Sequence, residues 1–198
     1  IEHIRKGPYA DRIIGYFILS GEEGQWFHHW GEADPNLSGS ISDYSPAMLN
    51  FFRDYLRKKY TSVGKLQKAW NKTDVNFNNA EIPSRAERIK PHNNGIFRNS
   101  NDIAAVDFGE ALSACVNQAM GHYAEIVKKE TANNALFFAY YGHLMDVGDG
   151  FLAELGGYLK QQELLQNPDI DGFAGPLSYR SEFRDIGGTS SIDFPPSG

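Results

Sequence analysis

The sequence is short of cysteine, of long apolar runs and of positive charge. One thiol, Cys115, stands in 198 residues, which excludes an internal disulfide and any cysteine-cluster metal site. It falls on the apolar face of a predicted helix, where a thiol is an inert packing group. No apolar run approaches the roughly 18–20 residues that span a bilayer, so no segment is expected to cross a membrane. Lys and Arg number 19 against 25 Asp and Glu, a formal charge of −6. That balance argues against nucleic acid and anionic membranes as partners and suits neutral ligands such as sugars. Motifs are missing too. No G-x-S-x-G elbow, P-loop or G-x-G-x-x-G precedes a helix, so serine-hydrolase, NTPase and dinucleotide readings have nothing to stand on and no cofactor is expected. The pair His28-His29 lies near Glu22 and Glu23, but neither H-x-x-x-H nor H-E-x-x-H spacing occurs, and no metal site is expected. The chain starts at Ile1 rather than at an initiator Met, which leaves cytoplasmic and secreted locations equally open.

What is present suits one ordinary domain with a sizeable core: 41% apolar residues, with aromatics at 13%. Residues 1–7 read as a helix end stopped by Gly7-Pro8. "DRIIGYFIL" is a short, nearly continuous apolar run of the kind that forms a parallel strand buried on both faces. Ser45 and Pro46 are an N-cap and first-turn proline for a helix that puts Met48, Leu49, Phe52, Tyr55 and Leu56 on one side. "TSVGKLQKAWNK" reads as a second, shorter helix carrying Val63, Leu66 and Trp70. The Asn-rich stretch 72–101 reads as a long irregular excursion, either functional or flexible. From Asp102 to Glu130 the pattern predicts one long helix with Phe108, Leu112, Cys115, Ala119 and Ile126 as its buried stripe, broken by Asn133-Asn134. "ALFFAYYG" is a second buried strand. "GFLAELGGYLKQQELL" is helical but weakened by Gly156-Gly157, and "PDIDGFAGPLSY" supplies a third strand. The order βαβαβ implies neighbouring parallel strands.

In parallel α/β folds ligands gather beyond the carboxyl ends of the strands. The first such end carries "SGEEGQWFHHW", with Glu22, Glu23, Gln25 and Trp26. The second offers Tyr140, Tyr141 and His143, and the third Ser178, Tyr179 and Arg180. Glycoside cleavage needs a protonated carboxyl at the leaving oxygen, commonly a second carboxylate as nucleophile, and flat rings to hold the sugar. The first strand end supplies a carboxyl acid with a Trp beside it. A helical interaction module on 46–71 is the weaker alternative, because its apolar stripe has ordinary core width.

"PYADRIIGYFILSGEEGQW", "FFRDYLRKKYTSVGKLQKAWN" and "LLQNPDIDGFAGPLSYRSEFRDIGG" resemble the middle of glycoside hydrolase family 42 and its beta-galactosidase-like relatives. The resemblance covers most of the chain and is poorest over 72–101. It implies an α/β chain of 1–198 forming the central part of a (β/α)8 TIM barrel, with about three parallel strands, flanking helices, and a helical insertion and irregular excursion over about 43–101. It further implies retaining hydrolysis of a β-galactoside or related glycoside through two Glu residues. The acid/base falls on Glu22, Glu23 or Gln25; Trp26, Tyr140, Tyr141, His143, Tyr179 and Arg180 would face the sugar. Relatives carry G-x-x-G-E-W, and alignment puts Gln25 where that carboxyl stands. The family's nucleophile lies on the seventh strand, expected downstream of Gly198. The chain is thus expected to hold the acid/base half of a site, inactive alone, and its open barrel edges could support a homo-oligomer. The alternative is a non-catalytic carbohydrate-binding or scaffold module whose acid has been lost.

Overall fold

The computed structural model describes residues 1–21, 24, 26, 43–88, 102–141 and 157–174. Its elements in chain order are α1 (Glu2–Arg5), a 3-10 turn at Ala10–Arg12, β1 (Gly15–Ile18), α2 (Pro46–Tyr60), α3 (Val63–Trp70), α4 (Arg85–Arg88), α5 (Ile103–Glu130), β2 (Leu136–Tyr140), α6 (Gln161–Leu165) and β3 (Gly172–Ala174). The three strands form one parallel sheet in the order β1-β2-β3. A three-stranded parallel sheet with flanking helices is an α/β fold. The chain gathers into two compact units, one of 1–27, 116–148 and 160–198, the other of 28–115 and 149–159.

The first unit holds the sheet. Gly15 pairs with Leu136, Phe17 with Phe138, and Phe138 with Gly172. Partners in register share a face, so Phe17, Phe138 and Tyr140 lie on one side and Tyr16, Phe137 and Ala139 on the other. The second set is buried. On the first, Phe17 keeps 43% of its surface exposed. The expectation of a strand buried on both faces is therefore corrected: β1 is buried on one. Gly172 lies under the Phe138 ring, where an added Cβ would come within 2.7 Å. The amino ends of the strands are latched by Asp171. Its carboxylate accepts from the Phe137 N–H at 2.7 Å and pairs with Lys128 of α5, whose ammonium also reaches the Ala135 carbonyl.

The second unit is built on caps and a buried carboxylate. Ser45 Oγ accepts from the Met48 N–H and Ser62 Oγ from the Lys65 N–H, and Thr61 and Asn71 close their helices in the left-handed region. Met48, Phe52, Leu56, Leu66, Trp70, Phe108 and Leu112 form the core. In its midst Asp107 is fully buried. It accepts from Lys59 Nζ at 2.7 Å, the Tyr60 hydroxyl at 2.8 Å and the Trp70 indole N–H at 2.7 Å, which ties α2, α3 and α5 together. Glu110 extends the network outward to Lys59 and Tyr55, both at 2.6 Å. Burial opposes protonation of Lys59, but the two carboxylates outweigh it and raise its pKa.

Two expectations shift in detail. The buried stripe of α5 continues from Phe108 and Leu112 through Val116, Met120, Ala124 and Val127, while Cys115, Ala119 and Ile126 are only half-buried. Of the Asn-rich excursion, 72–83 is irregular yet heavily braced: Asn76 Oδ1 accepts from two following amides, and Asn79 Nδ2 donates to the Asp74 carbonyl.

Asp107→Ala strands three donors, one of them charged, and is expected to cost about 3–5 kcal/mol in urea unfolding. Tyr60→Phe removes one donor only and is expected to cost about 1 kcal/mol. A second prediction concerns acid. Burial by itself would raise the Asp171 pKa, but Lys128 and the Phe137 amide outweigh it and hold the carboxyl below its usual value. A depressed folded pKa contributes stability above the unfolded value, and that contribution is lost as pH falls through the folded one. Stability should therefore fall below about pH 4. Lys128→Met should flatten that acid limb in denaturant melts taken across pH.

Candidate functional site

Because all three strands are parallel, their carboxyl ends share one edge of the sheet. The chain leaves β1 at Ile18 and is closed on itself at once. The Trp26 backbone N–H donates to the Ser20 carbonyl at 2.6 Å, and its indole N–H donates to the Ile18 carbonyl at 3.1 Å. Gly21 and Gly24 take the left-handed region on the way, at φ 70° and 76°. Gly24 has a second reason to be glycine, since a Cβ there would sit 3.1 Å from Leu19 Cβ.

Trp26 itself has φ 66°. Among the described residues four other non-glycine positions share the left-handed region: Thr61 and Asn71 cap α2 and α3, and Ala132 and Asn133 follow the end of α5. Those positions terminate helices, where the conformation is ordinary. Trp26 terminates none. A bulky residue held there carries strain of order 1–3 kcal/mol, which surrounding contacts must outweigh. They do so through the two hydrogen bonds and through burial: the side chain is 4% exposed and its ring meets Tyr123 of α5 edge-on at 5.8 Å. The ring is an internal anchor.

At the end of β2, Tyr140 and Tyr141 take opposite faces. Tyr140 is half-buried on the side of Phe17, its ring T-shaped against Phe17 at 5.0 Å. Tyr141 is 1% exposed and packs near Phe173 at 5.7 Å, and its N–H reaches the Ala174 carbonyl at the end of β3. Burial, reinforced by the Glu163 carboxylate, pushes its phenol well above the usual pKa. Such a hydroxyl stays protonated at any working pH.

The structure brings Trp26, Tyr140 and Tyr141 to the same edge of the sheet. Glu22, Glu23, Gln25, His143, Tyr179 and Arg180 lie outside the described residues. Two features escaped the sequence reading. Phe17 joins Tyr140 on the half-open face, which strand alternation alone would have indicated. The anchoring role of Trp26 had no sequence signal, because it depends on a left-handed backbone. Among the described residues no group of three or more His, Cys, Asp or Glu is placed to hold a metal ion, and no helix is long and apolar enough to cross a membrane.

No family model and no curated protein matches the sequence. Two solved structures are similar to it. The catalytic domain of a beta-amylase from Paenibacillus polymyxa superposes with a TM-score of 0.62 at 16% identity, over 88% of this chain and 43% of that one. A beta-galactosidase from the psychrophilic Marinomonas ef1 gives a TM-score of 0.48 at 21% identity, over 70% of this chain and 18% of that one. The chain spans less than half the length of either. The likeness to the beta-amylase catalytic domain shows that the two share an α/β fold.

Proposed function

We propose that the chain carries the acid/base half of a retaining glycosidase site for β-galactosides or related glycosides, with Glu22 or Glu23 as proton donor. One observation carries the reading: the closure from Ser20 and Ile18 to Trp26. It closes the chain just beyond the carboxyl end of a parallel strand, where α/β folds place their chemistry, and Glu22 and Glu23 stand between the closing residues in sequence. The family 42 resemblance and the fold shared with the beta-amylase domain support the reading. A carboxyl acting as acid near neutral pH needs a raised pKa, and the aromatic and apolar groups around the end of β1 supply a medium for that. In this reading Trp26 positions the acidic stretch, Tyr140 and Phe17 form the wall facing the sugar, and His143, Tyr179 and Arg180 complete the substrate side, while Tyr141, buried on the opposite face, has no part in it. Retention needs a second carboxyl about 5–5.5 Å from the first. In the family that group stands on a later strand, so the half-site by itself turns nothing over.

A nitrophenyl β-galactoside titrated into the isotope-labelled chain should shift the amides of Trp26, Tyr140 and Tyr141 saturably, without release of nitrophenolate. No shift at those amides overturns the glycosidase reading; nitrophenolate release overturns the half-site reading. Trp26→Phe keeps a ring but loses the indole donor. It should cost about 1 kcal/mol and speed hydrogen exchange at the residue 26 amide.

Gln25 favours a second reading, a non-catalytic carbohydrate-binding or scaffold module. In a polypeptide that also carries the later strands, Gln25→Glu discriminates. A gain in turnover of about a hundredfold or more identifies position 25 as a disabled acid. Activity present beforehand and unaltered assigns the role to Glu22 or Glu23. Sugar binding with no turnover in either form supports the module.

A further inference from the structure

The second unit contains a concavity that the reading above does not use. A cavity of about 230 Å³ opens beside the end of α3, with Trp70, Lys72 and Asp74 in its lining. Its wall is preformed. Gln67 Nε2 donates to the carbonyls of Thr73 and Val75 at 2.7 and 3.1 Å, and Arg53 Nε donates to the Ala80 carbonyl at 2.8 Å. The Asn79 amide is spent within the wall, accepting from the Asn76 N–H at 2.6 Å and donating to the Asp74 carbonyl at 2.9 Å. A stretch with so little regular structure holds a fixed shape because its own side chains replace the missing ladder.

The remaining polar groups of the lining sort by what they already bind. Glu81 is paired with Arg53 at 2.8 Å. Glu87 accepts from the N–H and hydroxyl of Ser84 at 2.8 and 2.7 Å. Among the described residues, no hydrogen bond or ion pair engages the side chains of Lys72 and Asp74. The Lys72 ammonium lies 6.0 Å from the centroid of the Trp70 ring, at the limit of a cation–π contact that steadies its position and leaves its donors available. Trp70 is itself fixed from behind by its bond to Asp107 and by stacking on Phe52 at 6.2 Å.

An ammonium only donates and an ionised carboxylate only accepts. Their formal charges cancel. An anionic ligand would meet the carboxylates of Asp74, Glu81 and Glu87, and a cationic one the Lys72 ammonium, so a fixed charge of either sign meets a like charge. The matching chemistry is a neutral group that accepts and donates at neighbouring atoms, which a pair of vicinal hydroxyls does. The volume lies below the range of about 300–1,000 Å³ typical of drug-sized ligands, which restricts the occupant to about one ring. We infer that this cavity binds a single ring of a neutral polyhydroxylated ligand, a monosaccharide or cyclitol, with Lys72 donating to one hydroxyl and Asp74 accepting from its neighbour. The inference is independent of the glycosidase proposal, since it uses no residue of the strand ends.

The test is an amide-resolved titration of the chain with free D-galactose, repeated with myo-inositol. A saturable shift at Lys72, Thr73 and Asp74 with at least one probe is expected, in the millimolar range. Lys72→Ala and Asp74→Ala both alter exposed side chains, so the fold should survive and binding should weaken about tenfold in each. Sodium sulfate and tetramethylammonium chloride serve as charged controls and should leave those amides unmoved. Absence of a saturable shift at residues 72–74 with both probes overturns the inference, as does binding unaffected by either substitution or a stronger response to a charged control. Shifts confined to residues 26, 140 and 141 also overturn it, while leaving the strand-end reading intact.

Discussion

A fully buried carboxylate, Asp107, organises the helical unit. Burying an ionised group is costly unless its hydrogen bonds are replaced, and here Lys59, Tyr60 and Trp70 replace them from two other helices. An apolar core tolerates sliding of one helix along another, because dispersion contacts have no fixed direction. Three donors aimed at two oxygen atoms do not. The carboxylate thus sets the register in which Phe52 meets Phe108 edge-on at 5.2 Å and stacks on Trp70. It also fixes the indole beside which Lys72 stands, so the rigidity of the 230 Å³ cavity begins in the core behind it.

The sheet unit keeps its strand-linking polar side-chain contacts at the amino ends, away from the edge where the proposed site lies. At the amino ends, Asp171 joins β3, β2 and the end of α5 through one amide and one ammonium. At the carboxyl ends the chain is instead wound into a strained turn and a pair of tyrosines that face opposite ways. The same division runs through parallel α/β folds generally, since the amino-end groups can be spent wholly on holding strands together. Within the sheet the Phe138 ring covers Gly172, and that close approach explains why the third strand opens with glycine.

Local signals made the helices legible and left the turns opaque. Ser45-Pro46 and Ser62 announce the starts of α2 and α3 because capping is a short-range effect, complete within three residues. The parallel order followed from strand and helix alternation, and the partial barrel from the family resemblance. The stripe of α5 was misread by one position beyond Leu112, since Cys115, Ala119 and Ile126 are apolar enough to compete with Val116, Met120 and Ala124. The braced wall at 72–83 read as irregular because its order comes from asparagine side chains bonding back to the main chain, a pattern with no period. At the candidate site the sequence reading turns both Tyr140 and Tyr141 to the sugar, whereas strand alternation puts them on opposite faces and Tyr141 is buried. Which of Glu22, Glu23 and Gln25 points where was not legible, because a chain that passes through φ values of 70°, 76° and 66° within six residues has lost the period from which facing is inferred.

That same winding is the firmest reason to look for function at the end of β1. A glycine or asparagine at position 26 would adopt its backbone conformation at little cost, and selection for stability alone favours such residues. Tryptophan is tolerated because it is the residue whose ring can reach Tyr123 while its indole N–H, a donor with no acceptor partner of its own, finds the Ile18 carbonyl. The anchor therefore couples α5 to the last turn of β1 through a single side chain. A turn wanted only to connect two elements needs no such coupling. One that must hold carboxyl groups to within a fraction of an ångström does, since positioning of that order separates an effective proton donor from a solvated surface acid. Strain at Trp26, absent from the connections where the left-handed backbone merely ends a helix, is what the role proposed for this turn would require.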